Sequence, residues 1–488
     1  MKLSFSTRSK GIGFWLEHAA VKAPDNVCLS LPTGDYSFSQ VLLDVTKLAS
    51  YLESQGLESG QFVAVEGGRY LQIVSALAIG SLGSASATLP ADVDSRAFIR
   101  NHFQFLISES ESSSIASMKT ISVHMDALQP EALQRRPLSE KPNLDLPYRV
   151  FFTSGSSGTP RAVPISHRKL ISRMEVATVQ LGRRQSLSLF PLDSLLGFHR
   201  VLESLRSGLP YLSVGDLDFT VNQIERWGVR AIALSPVSLR RFLEDCKQKR
   251  FRSSQLDLLL TTGAALDQHL ELQAREYFDC DVRTMYGSTE AGHIAVSKGP
   301  RLNVEDQGPV IKGVNLEIVD EADNELPVGR VGAVRVKGPA SVTEYLFNPE
   351  ATKKSFRDGF FYPGDQGRIL RNGRLEIVGR LDDVVNLEGV KVSFAEIERY
   401  CQQILGLSEV CAFSWNSNEK GIQLGLGLVS GNNLDSESIL STLKMGFGSI
   451  APSLLLELES LPLSPNGKPD RQELKRTAEM AASTNGKN

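Results

Sequence analysis

The chain has 488 residues, more than one ordinary hydrophobic core can hold, so several domains are expected. A hydrophobic share of 41% beside 22% charged residues is the balance of a globular protein, and a formal net charge of −3 gives no reason to expect nucleic acid or an anionic membrane as partner. No run approaches the ~20 apolar residues of a membrane helix. The opening MKLSFSTRSKGIGFWLEHAA lacks the apolar region of a signal peptide, so a cytoplasmic location is expected. The five cysteines, Cys28, Cys246, Cys280, Cys401 and Cys411, are scattered and form no C-x-x-C pair. They read as reduced, mostly buried thiols rather than as disulfides or a zinc site.

Ile12, Trp15, Leu16, Ala19 and Ala20 fall at helical spacing, and VCLSL after the turn at Pro24-Asp25 reads as a strand. An amphipathic helix follows from Phe38 to near Gly56, then the strand QFVAVEG, then a small-residue helix running into a strand through LQIVSALAIGSLGSASATL. This alternation argues for α/β layers with parallel pairing. Residues 108–147 are polar, Ser-rich and Pro-rich, and read as a surface loop or poorly ordered connection. From 149 to 300 strands and helices alternate again, in RVFFTSG, RAIALSPVSLRRFLEDC, LDLLLTTGAAL and DVRTMYGSTE. Over 308–380, the Gly-punctuated segments GRVGAVRVKG, GRILRNG and GRLEIVG read as a small β-rich subdomain. Beyond Arg380 the composition returns to helix and strand, with VSFAEIERYCQQI as a helix, which fits a small α+β domain. The tail from Arg476 reads as frayed.

The segment Thr153-Ser154-Gly155-Ser156-Ser157-Gly158-Thr159-Pro160-Arg161-Ala162-Val163 follows the apolar strand RVFF. Glycines let a backbone approach an anion, successive N–H groups and small hydroxyls can surround phosphate oxygens, and Arg161 adds positive charge. The segment is not the G-x-x-x-x-G-K-[ST] loop, and taken alone it also reads as a flexible turn. Further segments follow in order: LLTTGAAL at 259–266, YGSTEAG at 286–292, FYPGDQGRI at 361–369, GRLDDVVNLEGVKV at 379–392 and LPLSPNGKPDRQEL at 461–474.

Together these segments resemble the motifs of the adenylate-forming (AMP-binding) superfamily, which contains acyl- and aryl-CoA synthetases, peptide-synthetase adenylation domains and luciferases. The resemblance runs over roughly residues 12–475. It implies an N-terminal AMP-binding domain over 1–380, including the β-rich 308–380, a hinge at 381–384 and a mobile α+β C-terminal domain over 385–488. By the same resemblance Thr153 to Gly158 and Arg161 hold phosphates, and Gly263, Ala264 and Ala265 flank adenine. Tyr286 stacks on adenine beside Gly287, Thr289 contacts phosphate, and Glu290 offers a hard oxygen to Mg2+. Asp365 and Arg380 take the ribose hydroxyls, Asp382 is the hinge, Lys468 neutralises charge at the reacting centre, and Gly389 leaves room for a pantetheine arm. The chain departs from the family's usual pattern at Arg161-Ala162, Pro363 and Asn386.

The activity implied is attack of a carboxylate on the α-phosphorus of ATP, release of pyrophosphate, and transfer of the acyl group to a thiol. That thiol is CoA or the phosphopantetheine of a separate carrier protein. Two alternatives stand beside it: a relative that diverts the adenylate to a non-thiol fate, and a weakened nucleotide-binding relative. The segment SLSLFPLDSLLGFHRVLESLRSG at 186–208 sits where the family builds its acyl pocket. Within it Asp193 reads equally as a contact for a substrate ammonium or as a helix cap, and His199 as a packing residue more than as a gate. The acid therefore stays open between amino, aryl and fatty classes.

Overall fold

The computed structural model describes residues 11–485 except 91, 111–114, 116, 126–136, 139–142, 154–159, 183, 382, 388–389, 408, 418–420, 430–434 and 464–468. The chain divides into two compact units, one of Met1–Leu316 with Arg335–Tyr362, the other of Glu317–Val334 with Pro363–Asn488. Residues 317–334 and 363–380, expected with the N-terminal domain, group here with the C-terminal part. The local reason is strand pairing: Gly332 and Ala333 pair with Gly367 and Gln366, and Asp365–Ile369 pairs in turn with Arg374–Arg380.

The first unit is a mixed α/β body. A six-stranded sheet orders Lys119–Ser122, Phe105–Ser108, Phe62–Glu66, Ala85–Thr88, Pro147–Thr153 and Arg161–Ser166. Its pairs are parallel except the last, an antiparallel hairpin. A five-stranded sheet orders Gly292–Val296, Asp281–Ser288, Leu258–Thr262, Ala231–Leu234 and Ser186–Ser188, again parallel except for the hairpin of its first two strands. Strands covered on both faces read as unbroken apolar runs, and every residue of Ala231–Leu234 and Leu258–Thr262 is buried. Helix starts follow from capping: the Ser235 hydroxyl accepts from Ser238 N–H ahead of Pro236, and Asp216 and Asp267 do the same for their helices.

The small residues of the helix Arg69–Ser81 have a packing cause. A Cβ on Gly80 would lie 2.0 Å from the Tyr148 ring, so the aromatic closes on bare backbone there. Within 108–147 the structure departs from the loop expected. Lys119–Ser122 joins the sheet edge beside Phe105–Ser108, and Ile121 and Val123 are buried. A short strand with one buried apolar residue, Ile121, is hidden in sequence by its polar neighbours.

The second unit carries a three-stranded sheet of Val410–Ser417, Gly421–Val429 and Leu454–Leu458, with the helices Phe394–Ile404, Ser436–Phe447 and Arg471–Asn485. The tail expected to fray is helical through Asn485. Leu474 and Ala478, one helical turn apart, pack against Cys411 and Phe413 and hold it. Arg471, at the start of that helix, pairs with Glu398 at 2.8 Å and Asp383 at 3.4 Å. All five cysteines are free; Cys280 is half-buried and the others are buried. Burial pushes each thiol up to about 12, so none is a thiolate nucleophile near neutrality. Among the described residues no helix is long and apolar enough to cross a membrane.

Candidate active site

In the first unit the strands Pro147–Thr153 and Arg161–Ser166 form a hairpin in which Thr153 lies directly opposite Arg161. Ser154, Gly155, Ser156, Ser157 and Gly158 lie outside the described residues, but the two ends of their loop are fixed in register. Both ends meet one carboxylate network. Tyr345 O–H donates to Glu290 Oε1 at 3.0 Å, and Thr153 Oγ1 lies 3.4 Å from the same oxygen. The Arg161 guanidinium sits 5.3 Å from the Tyr345 ring centre, with Nη1 3.5 Å from its hydroxyl. Glu290 is buried and its main chain is held as firmly as its carboxylate. Arg173 Nη2 donates to Glu290 O and to Ala340 O, and Val342 N–H donates to Glu290 O.

Tyr345 was not legible as a site residue. Its placement follows from EYLFNPEAT: Asn348 caps the helix Pro349–Ser355, and Thr352 Oγ1 accepts from Tyr345 N–H at 3.0 Å. The signal that could have found it is an aromatic residue just ahead of an Asn-Pro helix start.

The remaining residues of this unit fall on two strand ends. Thr262 leads into Gly263, whose φ of +94° needs glycine, and Ala264 and Ala265 are exposed on the same turn. Tyr286 and Gly287 stand at the end of the strand Asp281–Ser288, with a register shift between them. A Cβ on Gly287 would lie 2.3 Å from Gly292 O, which fixes glycine after the aromatic. Thr289 is half-buried in the turn that leads to Glu290.

Asp193 is exposed. The cap of the helix Leu195–Ser207 is Ser194, whose hydroxyl accepts from Gly197 N–H, so the capping role open to Asp193 belongs to its neighbour. His199 is buried, as a packing residue, with its ring 5.9 Å from that of His293. A small pocket does form beside this helix. Leu196 and Arg200 face it from the helix, and Thr262, Met285 and His293 from the strands. Two of these immediately precede Gly263 and Tyr286 in sequence. Asp193 and His199 do not line it.

In the second unit Asp365 and Arg380 are register partners in a hairpin. Arg380 Nη1 donates to Asp365 Oδ1 at 3.0 Å, and Nη2 to Pro363 O at 3.1 Å. Pro363 thus contributes a carbonyl to this pair. Asp382, Gly389 and Lys468 lie outside the described residues. Among the described residues no cluster of three or more acidic, His or Cys side chains could hold a metal by itself. A single buried carboxylate beside Thr153 and Tyr345 fits Mg2+, which keeps waters and binds through one or two carboxylates plus phosphate oxygens.

Known proteins share this chain's sequence pattern and its fold. The AMP-binding enzyme family model matches residues 16–346. The chain belongs to the AMP-binding enzyme family. Among curated AMP-binding relatives, the dimodular nonribosomal peptide synthase of Bacillus subtilis is 22% identical over 94% of this chain but only 20% of its own length. Acyl-CoA ligase M9 of a Phoma species is 29% identical over 63% of this chain and 58% of its own length. The chain therefore spans less than two thirds of these relatives. The O-succinylbenzoate coenzyme A synthetase of Bacillus subtilis, solved with ATP and magnesium ion, has the same fold. Its TM-score is 0.82, with 20% identity over 94% of this chain and 99% of that one.

Proposed function

We propose that this AMP-binding enzyme uses ATP to convert a carboxylic acid into an acyl-adenylate and then transfers the acyl group to a thiol. The observation that carries the reading is the network at Glu290. A buried carboxylate is held by Tyr345 and Thr153 at the base of a Gly- and Ser-rich loop whose far end is Arg161.

In the first step a carboxylate oxygen of the substrate attacks the α-phosphorus, the bond from that phosphorus to its bridging oxygen breaks, and pyrophosphate leaves. No protein nucleophile is required, so positioning and charge neutralisation carry the rate. Thr153, Arg161 and the loop between them would receive the phosphates. Tyr286 would offer a π-face to adenine, Thr289 a hydroxyl to phosphate, and Asp365 with Arg380 polar groups to the ribose. Mg2+, held at Glu290, would neutralise phosphate charge. Lys468 would stabilise the charge that develops between carboxylate and phosphorus. In the second step a thiol, from CoA or from the phosphopantetheine of a carrier, attacks the acyl carbon and AMP leaves. Rotation about Asp382 would exchange Lys468 for the 384–392 segment, with Gly389 clearing the pantetheine path. The domain division at 381–384 and a cytoplasmic setting belong to the same proposal.

The test is carboxylate-dependent exchange of labelled pyrophosphate into ATP across fatty, aryl and amino acids. Exchange with at least one acid is expected. Its absence with all of them would reduce the chain to a nucleotide-binding relative. Product that forms without CoA or a carrier would point instead to a non-thiol fate.

A further inference from the structure

The turn at 263–265 is exposed, yet both of its ends are fixed. Its front end continues the strand Leu258–Thr262, where Thr262 is the partner of Met285. The pair is parallel, so Gly263 and Tyr286 are the next residues on neighbouring strands. Its rear end is Leu266, fully buried, whose carbonyl accepts from Arg301 Nη2. Arg301 lies outside every motif of the sequence, 35 positions from Leu266. Its side chain is 1% exposed. Nε donates to Glu271 Oε2 at 2.8 Å and Nη1 to Val304 O at 3.1 Å. One rigid guanidinium thus binds a carboxylate, a loop carbonyl and the carbonyl that closes the turn.

Glu271 is itself held. Its other oxygen, Oε1, accepts from Arg275 Nε at 3.2 Å and Nη2 at 3.0 Å. Arg275 Nη1 donates to Asp281 Oδ1 at 3.0 Å, and Nη2 also donates to Val282 O. Asp281 and Val282 open the strand that carries Tyr286. One chain of ion pairs therefore fastens the turn and that strand to the same helix, Gln268–Phe278. Apolar side chains of the same volume would fill the space as well and often more stably, but they would leave Leu266 O without its donor. What the pair supplies is a fixed geometry for the turn. Adenine carries an amino donor where guanine carries a carbonyl acceptor, so a turn held in one conformation tells the two bases apart and a loose one does not.

We infer that Arg301, braced by Glu271, is a positioning residue for the nucleobase: it holds the turn at 263–265 in the conformation that meets adenine beside Tyr286, and so sets the preference for ATP over GTP. The inference rests on the proposed seat of adenine at Tyr286 and this turn, and extends it to residues outside the motifs.

The test measures binding of ATP, GTP and tripolyphosphate by calorimetry, with Mg2+ present and no acid. The wild-type protein is expected to prefer ATP over GTP at least about 10-fold. Arg301→Gln is expected to weaken ATP binding about 10-fold and to leave GTP and tripolyphosphate within about twofold, so that the preference is lost. Arg301→Lys keeps a charge for Glu271 but not the fork that reaches both carbonyls, and is expected to fall between. A merely structural role would lower the folded fraction, and with it the binding stoichiometry, without moving the ratio of affinities. An unchanged ratio in a variant that still binds ATP overturns this inference and leaves the adenylation reading standing, as does a wild-type protein that binds ATP and GTP equally. Where R301Q does not fold, R301K and E271Q are read in the same way, and amide exchange on the wild-type protein needs no variant. ATP, but not tripolyphosphate, is expected to slow exchange at 264–266, and equal exchange with both overturns the inference. A wild-type protein that binds no ATP overturns the adenylation reading and this inference with it.

Discussion

Tyr345 shows how much of the Glu290 network depends on a residue outside the sequence motifs. Its hydroxyl fixes one carboxylate oxygen of Glu290 while its ring supports Arg161. Tyr345→Phe keeps the ring and removes only the donor. If Glu290 binds the metal, this variant should raise the Mg2+ concentration for half-maximal pyrophosphate exchange by about 10–100-fold, the usual effect of losing such a support. Exchange with an unchanged Mg2+ dependence would show that the hydroxyl is structural only. The buried histidines make a second residue-scale prediction. Burial lowers His167 to about 4 and His293 to about 3, and His199 falls with them. In the unfolded chain each titrates near about 6.5, so below that pH the unfolded state binds more protons and stability is lost. The contribution is complete above about 6.5 and drains away toward the folded values. Urea midpoints should therefore fall between pH 7.5 and pH 5, and a flat profile would contradict neutral burial of the three rings.

At the scale of elements, the helix Leu195–Ser207 joins the pocket to the core of the first unit. Arg200 faces the pocket, while Phe198 lies among Tyr148, Phe151 and the Arg149 guanidinium, 4.4 Å from its ring centre. Phe198→Ala should cost about 3–5 kcal/mol in urea unfolding, the range for deleting a fully buried aromatic side chain. The final helix makes a parallel case in the second unit. Leu474 is 1% exposed and packs on the sheet through Cys411 and Phe413. Leu474→Ala should cost about 2–5 kcal/mol, whereas a frayed tail would tolerate it, and denaturant titration separates the two.

For the whole molecule, the two half-reactions would draw on different parts of the chain. The Glu290 network stands in the first unit, the Asp365–Arg380 hairpin in the second, and Lys468 falls in the numbering of the second. Lys468→Ala should depress adenylation far more, by about 100-fold or greater, than thioester formation from supplied acyl-adenylate, because a preorganised charge serves only the step in which charge develops. Equal losses in both half-reactions would remove Lys468 from the role given to it.

The order of the motifs by itself determined the family and the alternating α/β plan, because phosphate loops, buried parallel strands and capped helices are written in local runs of residues. Thr153, Arg161, Tyr286 and Glu290 were legible as candidates for that reason, each lying inside a short motif-like stretch. Tyr345, Arg173, Arg200 and His293 were not. Tyr345 reaches Glu290 across 55 positions of chain, and Arg173 reaches it across 117. No window of sequence holds both partners of either contact. The cap at Ser194 rather than Asp193 was decided by which side chain met Gly197 N–H, and the helix at 471–485 by a sheet that packs on Leu474 and Ala478. What only the tertiary structure decided was which side chains far apart in sequence stand together, as Tyr345 and Arg173 do around Glu290. That grouping exists only once the helices and strands are packed, because its members share no local run of sequence.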